Sequence, residues 1–203
     1  MSLTSSSTIN TLSWEGFFQA ELKEHLMVAE ETQKSMQKQF TTLVEMAIST
    51  LKKGGKIIFF GNGGSAADSQ HLATELTVRY RKNRAPLAAL ALTTDTSALT
   101  AIGNDFGFDH LFERQIEALG KSEDLVIGIT TSGKSPNVIL AFKKAQELGL
   151  KTVAFTGGTG GTLPGKVDLM LCVPSSTTSR IQEMHITLGQ MLCGALEDFF
   201  ANS

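Results

Sequence analysis

Cysteine and proline are scarce in this chain of 203 residues, and neither sign of charge dominates. The two cysteines, Cys172 and Cys193, are too few for a disulfide framework and form no CxxC motif, so we expect both to be small buried hydrophobic residues. The formal net charge of −2 provides no basic footprint for a nucleic-acid backbone. Direct binding of nucleic acid is therefore not expected.

Long hydrophobic runs are also missing. No apolar run reaches the roughly 18 residues of a membrane span, and the polar start, residues 1–10, lacks the pattern of a signal peptide. The composition, 41% hydrophobic and 19% charged, is that of an ordinary globular protein. We therefore expect no membrane association, a single domain over residues 1–203, and a cytoplasmic location.

Proline is absent from residues 14–53, where apolar residues recur at helical spacing. We therefore expect an N-terminal helical region, residues 1–53, with one long helix or a pair of helices. Over residues 54–203 short apolar runs alternate with helical stretches, which predicts an α/β core and a final helix. Because most connections are long enough for crossover helices, we expect a doubly wound, mostly parallel sheet flanked by helices. Its five predicted strands are 56–60, 87–92, 125–129, 152–155 and 169–173.

Ligands of such sheets bind outside the carboxyl ends of the strands. The third predicted strand is followed by Thr-Thr-Ser-Gly-Lys-Ser, residues 130–135, and a predicted helix begins after this segment. Free backbone N–H groups and the helix dipole favour a phosphate at such a turn, and the hydroxyls add donors. An ordinary N-cap turn has the same composition, so both interpretations remain open.

The first predicted strand ends in a glycine-rich turn, residues 61–66 (Gly-Asn-Gly-Gly-Ser-Ala), which matches the GxGxxG/A fingerprint of dinucleotide sites. Such sites also need an acidic residue at the end of the second strand, where this chain has Thr93 and Thr94, with Asp95 one residue farther on. A dinucleotide site and a purely conformational glycine turn both remain open.

Three further groups carry candidate chemistry. His71 and Glu75 are four residues apart on the predicted helix after the glycine turn, so they share a face and could hold a metal or form an oriented base, or simply be a solvated polar pair. Asn104 and Asp105 follow a short helical stretch and could bind sugar hydroxyls or form an ordinary turn. Residues 179–185 (Ser-Arg-Ile-Gln-Glu-Met-His) open the last predicted helix.

Taken together and in this order, these segments resemble the sedoheptulose 7-phosphate isomerases (phosphoheptose isomerases), a family with the sugar isomerase (SIS) fold. The resemblance rests on the combination of motifs and covers nearly the whole chain. It implies conversion of sedoheptulose 7-phosphate to D-glycero-D-manno-heptose 7-phosphate through an enediol, for bacterial heptose and lipopolysaccharide synthesis. It also implies a tetramer with sites between subunits.

The resemblance further implies roles for individual residues. Glu75 would be the catalytic base, and a zinc ion would be bound by His71, Glu75, Gln182 and the residue at position 190. The residues that would bind the substrate are Asn62, Gly63, Gly64, Glu75, Asn104, Asp105, Thr130, Thr131, Ser132, Ser135 and Gln182.

The chain departs from the family at position 190, where Gln190 replaces a histidine. Glutamine can coordinate weakly through its amide oxygen, but it has no titratable proton near neutral pH, and loss of an acid or base costs about 10²–10⁴ in rate. His185 is no replacement, because it lies about 140° around the helix from residue 190. We expect it to pack elsewhere.

Three explanations of Gln190 remain open: an isomerase with an altered acid, an engineered variant, or a relative that binds sugar phosphate without catalysis. The DnaA initiator-associating protein, which resembles this chain in fold, is such a scaffold. The presence of His71 and Glu75 favours an isomerase over a scaffold. We expect a homo-oligomer in either case, the alternative being that the terminal helices only cover the sheet.

Overall fold

The computed structural model describes residues 13–201, so the polar start, residues 1–10, lies outside the described part. The helices are α1 Trp14–Lys52, α2 Gly64–Thr77, α3 Thr96–Asp105, α4 Glu113–Leu119, α5 Pro136–Glu147 and α6 Thr178–Ala201, with a short 3-10 turn at Phe108–His110. The strands are β1 Ile57–Gly61, β2 Ala89–Ala91, β3 Leu125–Ile129, β4 Lys151–Gly157 and β5 Leu169–Val173. The predicted strands are confirmed, and the N-terminal helical region is one helix.

The five strands form one parallel sheet in the order β2-β1-β3-β4-β5. Alternate residues of each strand point to opposite faces, so Ile57 and Phe59 join one core while Ile58 and Phe60 join the other. Helices α1, α2 and α6 cover the first face, and α4 and α5 cover the second. The strand order reverses between β1 and β3, and ligands of doubly wound sheets bind at the carboxyl ends of such strands.

Helix α1 begins at the N-cap Ser13, whose Oγ accepts a hydrogen bond from Gly16 N at 3.0 Å. Polar pairs fasten its first half to the start of α6: Arg180 donates to the Glu21 carboxylate at 2.8 Å, and His25 Nδ1 lies 2.8 Å from Glu183 Oε2. Much of the apolar surface of this half remains exposed, namely Trp14, Phe17, Phe18, Leu22, Leu26 and Met27. Within residues 13–201 the structure contains no helix both long and apolar enough to cross a membrane.

Candidate active site

The glycine turn after β1 brings α6 close to the start of α2. Gly63 has a φ of +56°, and α2 begins at the next residue. A Cβ at Gly64 would lie 2.9 Å from the amide nitrogen of Gln182, so the missing side chain lets the first turns of α6 pack against this loop. The turn thus has a packing role, and it places Gln182 at the carboxyl end of the sheet.

Two turns along α2, three side chains converge. His71 Nε2 lies 3.0 Å from Glu75 Oε1 on the same helix face and 2.7 Å from the side-chain amide of Gln190 on α6. The predicted shared face of His71 and Glu75 is confirmed. The His71 side chain is 50% exposed and that of Glu75 is 22% exposed, so small molecules have access to both. A cavity beside them is also lined by Gln70, Thr74, Val78 and Arg79.

The donor set of this cluster fits a divalent cation. His71 Nε2 faces the carboxylate of Glu75 and the side-chain amide of Gln190 at once. The oxygen and nitrogen of an amide have nearly the same shape, so a flip of the Gln190 amide presents its oxygen to the cluster. One nitrogen and two oxygens with lone pairs then meet, and zinc accepts both atom types. In the part of the chain that the structure describes, no three His, Cys, Asp or Glu residues gather into a metal site, and this cluster reaches three candidate ligands only when the Gln190 amide is included.

The loop after β3 has the form expected for an anion site. Thr130 is buried, and its Oγ1 lies 3.4 Å from Ser135 Oγ, while Ser132 Oγ accepts from Lys134 N at 3.2 Å. Ser135 occupies the N-cap of α5. The hydroxyls and the helix start therefore lie together at the carboxyl end of β3.

A second glycine turn, residues 157–161, supports this loop. Gly133 has a φ of +61°, and a Cβ there would lie 2.1 Å from Gly160 O, so only glycine fits between the two turns. Thr162 N in turn donates to Gly133 O at 3.1 Å. The cavity between the turns is lined partly by hydroxyls and one ammonium, namely Thr131, Ser132, Lys134, Thr159, Ser175, Ser176 and Thr178.

Two residues near the candidate site, Asn137 and Arg79, were missed by the sequence analysis. Asn62 and Asn137 exchange a pair of side-chain hydrogen bonds, each 2.9 Å long, and this pair ties the glycine turn to the start of α5. Arg79 lines the cavity beside Glu75. A cation four residues after a helical carboxylate was the available signal for Arg79, whereas no local pattern indicates the Asn137 contact.

Asn104 and Asp105 differ from their expected setting. They are the last two residues of α3 and do not lie in a loop after it. The helix extends this far because Phe106 N donates a hydrogen bond to Ile102 O at 2.9 Å. Both are exposed, and Asn104 Nδ2 donates to Asp105 Oδ1 at 2.7 Å. Within residues 13–201, this hydrogen bond joins the two side chains to each other and not to the cluster around Glu75.

His185 packs away from the cluster, as expected. It is fully buried, and its Nε2 lies 3.0 Å from Thr156 O, to which it donates. Burial lowers the pKa of His185 to about 4 despite this hydrogen bond, so the ring is neutral at pH 7. Cys193 is buried as predicted, and burial raises the pKa of its thiol to about 12. Cys172 is only partly buried, which differs from the expectation for this residue.

Comparisons with known proteins show the family of this chain. The SIS domain family matches residues 18–157. The phosphoheptose isomerase of Paramagnetospirillum magneticum is 53% identical over 181 residues, covering 89% of this chain and 94% of the relative. The corresponding protein of Aquifex aeolicus is 54% identical over 160 residues, covering 79% of this chain and 84% of the relative.

Solved structures give the same result. The phosphoheptose isomerase GmhA from Neisseria gonorrhoeae aligns with a TM-score of 0.86 at 43% identity, covering 92% of this chain and 100% of that one. A phosphoheptose isomerase from Francisella tularensis aligns with a TM-score of 0.89 at 33% identity, covering 92% and 99%. The chain therefore belongs to the SIS domain family and, within it, to the phosphoheptose isomerases.

Proposed function

We propose that this protein converts sedoheptulose 7-phosphate to D-glycero-D-manno-heptose 7-phosphate in bacterial heptose and lipopolysaccharide precursor synthesis. The observation that carries the proposal is the cluster of Glu75, His71 and Gln190, found in a chain about half identical to phosphoheptose isomerases. A loop of phosphate-binding type lies at the carboxyl end of the same sheet.

The reaction moves hydrogen between two neighbouring carbons without net oxidation. A base removes a proton from C1 of the ketose while the C2 carbonyl oxygen gains one, which gives the enediol. Loss of the proton on the C1 oxygen and delivery of a proton to C2 then give the aldose. Glu75 has the chemistry for the proton transfers at carbon, because its carboxylate is accessible and can take up and return one proton.

Substrate binding divides between the two loops. We assign the phosphate to Thr130, Thr131, Ser132 and Ser135, whose hydroxyls can donate to its oxygens. We assign the sugar to Asn62, Gly63, Gly64 and Gln182 beside the start of α2. Asn104 and Asp105 would complete the hydroxyl contacts, and their exposure on α3 is consistent with their serving a site shared with another subunit.

We propose zinc as the metal, held by His71, Glu75, Gln182 and Gln190. Bound there, it would supply positive charge for the oxyanion that develops during enolisation. The support is the donor set of His71, Glu75 and Gln190, because Gln182 is seen only against Gly64. An amide oxygen is a weaker ligand than an imidazole, so we expect looser zinc binding than with a histidine at position 190.

Gln190 also limits proton transfer, because an amide cannot act as a general acid or base near neutral pH. We expect turnover of sedoheptulose 7-phosphate by the parent chain with zinc supplied, and turnover faster by about 10²-fold or more in Gln190→His. Equal rates would mean that another group already moves the proton. Absence of turnover in the parent chain would overturn the proposed function, and absence of turnover in both proteins would favour a scaffold as well.

The scaffold alternative, resembling the DnaA initiator-associating protein, is not favoured. The compared relatives at about 50% identity are phosphoheptose isomerases, and scaffolding alone does not require the accessible cluster around Glu75. We further propose a homotetramer in the cytoplasm. The exposed apolar surface on the first half of α1 supports association between copies of the chain.

A further inference from the structure

A buried ion pair lies behind the candidate base. Arg84 belongs to the loop between α2 and β2, and Glu197 lies near the end of α6. Each side chain is 2% exposed, and Arg84 Nε is 3.6 Å from Glu197 Oε2. Burying two charges is costly unless hydrogen bonds satisfy both. The groups that are hydrogen-bonded to each side chain therefore show which parts of the backbone the ion pair holds in place.

The guanidinium of Arg84 binds the end of α2. Its Nη2 donates to the backbone oxygen of Glu75 at 2.9 Å, and its Nη1 donates to that of Leu76 at 2.8 Å. The last carbonyls of a helix have no partner within the helix, and a planar guanidinium suits two neighbouring oxygens. Arg84 thus fixes the backbone of the residue that carries the candidate base.

The carboxylate of Glu197 binds the chain that follows α2. It accepts three backbone N–H groups, from Tyr80 at 2.9 Å and from Arg81 and Lys82 at 2.7 Å each. Burial raises the pKa of Glu197, but these hydrogen bonds and the nearby Arg84 outweigh it and leave the pKa below its usual value. The carboxylate is therefore ionised, and it holds the segment adjoining Arg79.

Helix α6 thus reaches the site at two levels. Gln190 contacts His71, and Glu197, two turns later, anchors the chain next to Glu75 through Arg84 and the 80–82 backbone. We propose that Arg84 and Glu197 are positioning residues that hold Glu75 in its orientation for proton transfer. This inference rests on the proposed role of Glu75 as the base.

Arg84→Met tests the inference, with Arg81→Met as the matched control. The Arg81 side chain lies over the Tyr80 ring on the surface, and its backbone N–H to Glu197 survives substitution. For Arg84→Met we expect kcat to fall about 10- to 100-fold, because a displacement of roughly 1 Å can cost that much. The dissociation constant for sedoheptulose 7-phosphate, measured by calorimetry, should stay within about threefold, because Glu75 acts in the chemical step.

Two conservative variants separate positioning from general stability. Arg84→Lys should recover part of kcat, since an ammonium can bind one of the two carbonyls but lacks the planar fork. Glu197→Gln keeps the shape but offers an N–H where an acceptor is needed, so kcat should fall there as well. If Arg84→Met does not fold, Glu197→Gln decides.

Unchanged kcat in the folded variants, or a loss shared by Arg81→Met, would overturn the inference while the parent chain remains active. A parent chain without turnover would instead overturn the proposed function, and this inference about catalysis with it. The two failures are therefore distinguishable in one set of assays.

Discussion

His185 is a neutral imidazole sealed between α6 and the end of β4, where its Nε2 donates to Thr156 O. Its folded pKa of about 4 lies below the ordinary 6.5, so the unfolded chain binds the proton more tightly. The stability that this residue contributes is therefore complete above about pH 6.5 and is lost as the pH falls toward 4.

When the pH falls from 7.5 to 5, His185 takes up a proton in the unfolded chain but not in the folded one. We predict that this difference lowers the free energy of unfolding by about 2 kcal/mol. Urea unfolding of the parent and of His185→Gln at both pH values measures this as a difference between the proteins. The matched control is His110→Gln, at a side chain that is 44% exposed. An equal pH dependence in the parent and in His185→Gln would contradict the assignment.

Single residues also show where sequence reasoning stops. The shared face of His71 and Glu75 follows from helical geometry, and the structure confirms it. The contact of Gln190 with His71 joins residues 119 positions apart and was expected only through the family resemblance. The contacts of Asn62 with Asn137 and of Arg84 with Glu197 leave no periodic trace, because tertiary packing alone brings these residues together.

At the scale of elements, the β3–α5 loop and the 157–161 turn form one unit around Gly133. Alanine at this position meets two penalties, a φ of +61° and a Cβ 2.1 Å from Gly160 O. Gly165 provides a matched control, because its φ is +76° but nothing lies within 4 Å of a Cβ there. The difference between the two alanine variants isolates the effect of the close approach.

We predict that Gly133→Ala raises KM for the sugar phosphate about 10-fold or more, because the loop must move away from the second turn and its phosphate donors move with it. Gly165→Ala should leave KM unchanged and cost about 1 kcal/mol of stability through backbone strain. Steady-state kinetics and thermal unfolding of both variants check this. A Gly133→Ala protein with parental KM would place the phosphate elsewhere.

Element boundaries were predicted unevenly. The apolar run of β3, residues 125–129, is bounded by polar residues, and both of its ends were predicted correctly. The second strand was expected over 87–92 but is regular only over Ala89–Ala91. Leu87 N bonds to Leu76 O at the end of α2 instead of joining the ladder, and an apolar pattern cannot reveal that competition.

At the scale of the whole molecule, the fold class and the parallel five-stranded sheet followed from alternating apolar runs and crossover lengths. A homo-oligomer was also expected, but which apolar residues of α1 remain exposed could not be predicted from helical spacing. We predict a sedimentation mass of about four times the 21.8 kDa chain. Phe17→Asp with Phe18→Asp should lower it, because charge on an apolar interface opposes its burial.

Leu148→Asp, a matched control at a 38% exposed residue just after α5, should keep the parental mass. A parent protein that sediments as one chain would contradict the tetramer. The same result would mean that the apolar half of α1 remains in contact with water.

The most direct test of the central claim follows sedoheptulose 7-phosphate by NMR in D₂O, with zinc supplied, using the parent chain and Glu75→Gln. If Glu75 is the base, the parent forms the aldose and introduces deuterium at the reacting carbons. In Glu75→Gln, the rates of aldose formation and of deuterium incorporation should both be lower by about 10²-fold or more. Absence of aldose with the parent, or equal rates in the two proteins, would contradict the account.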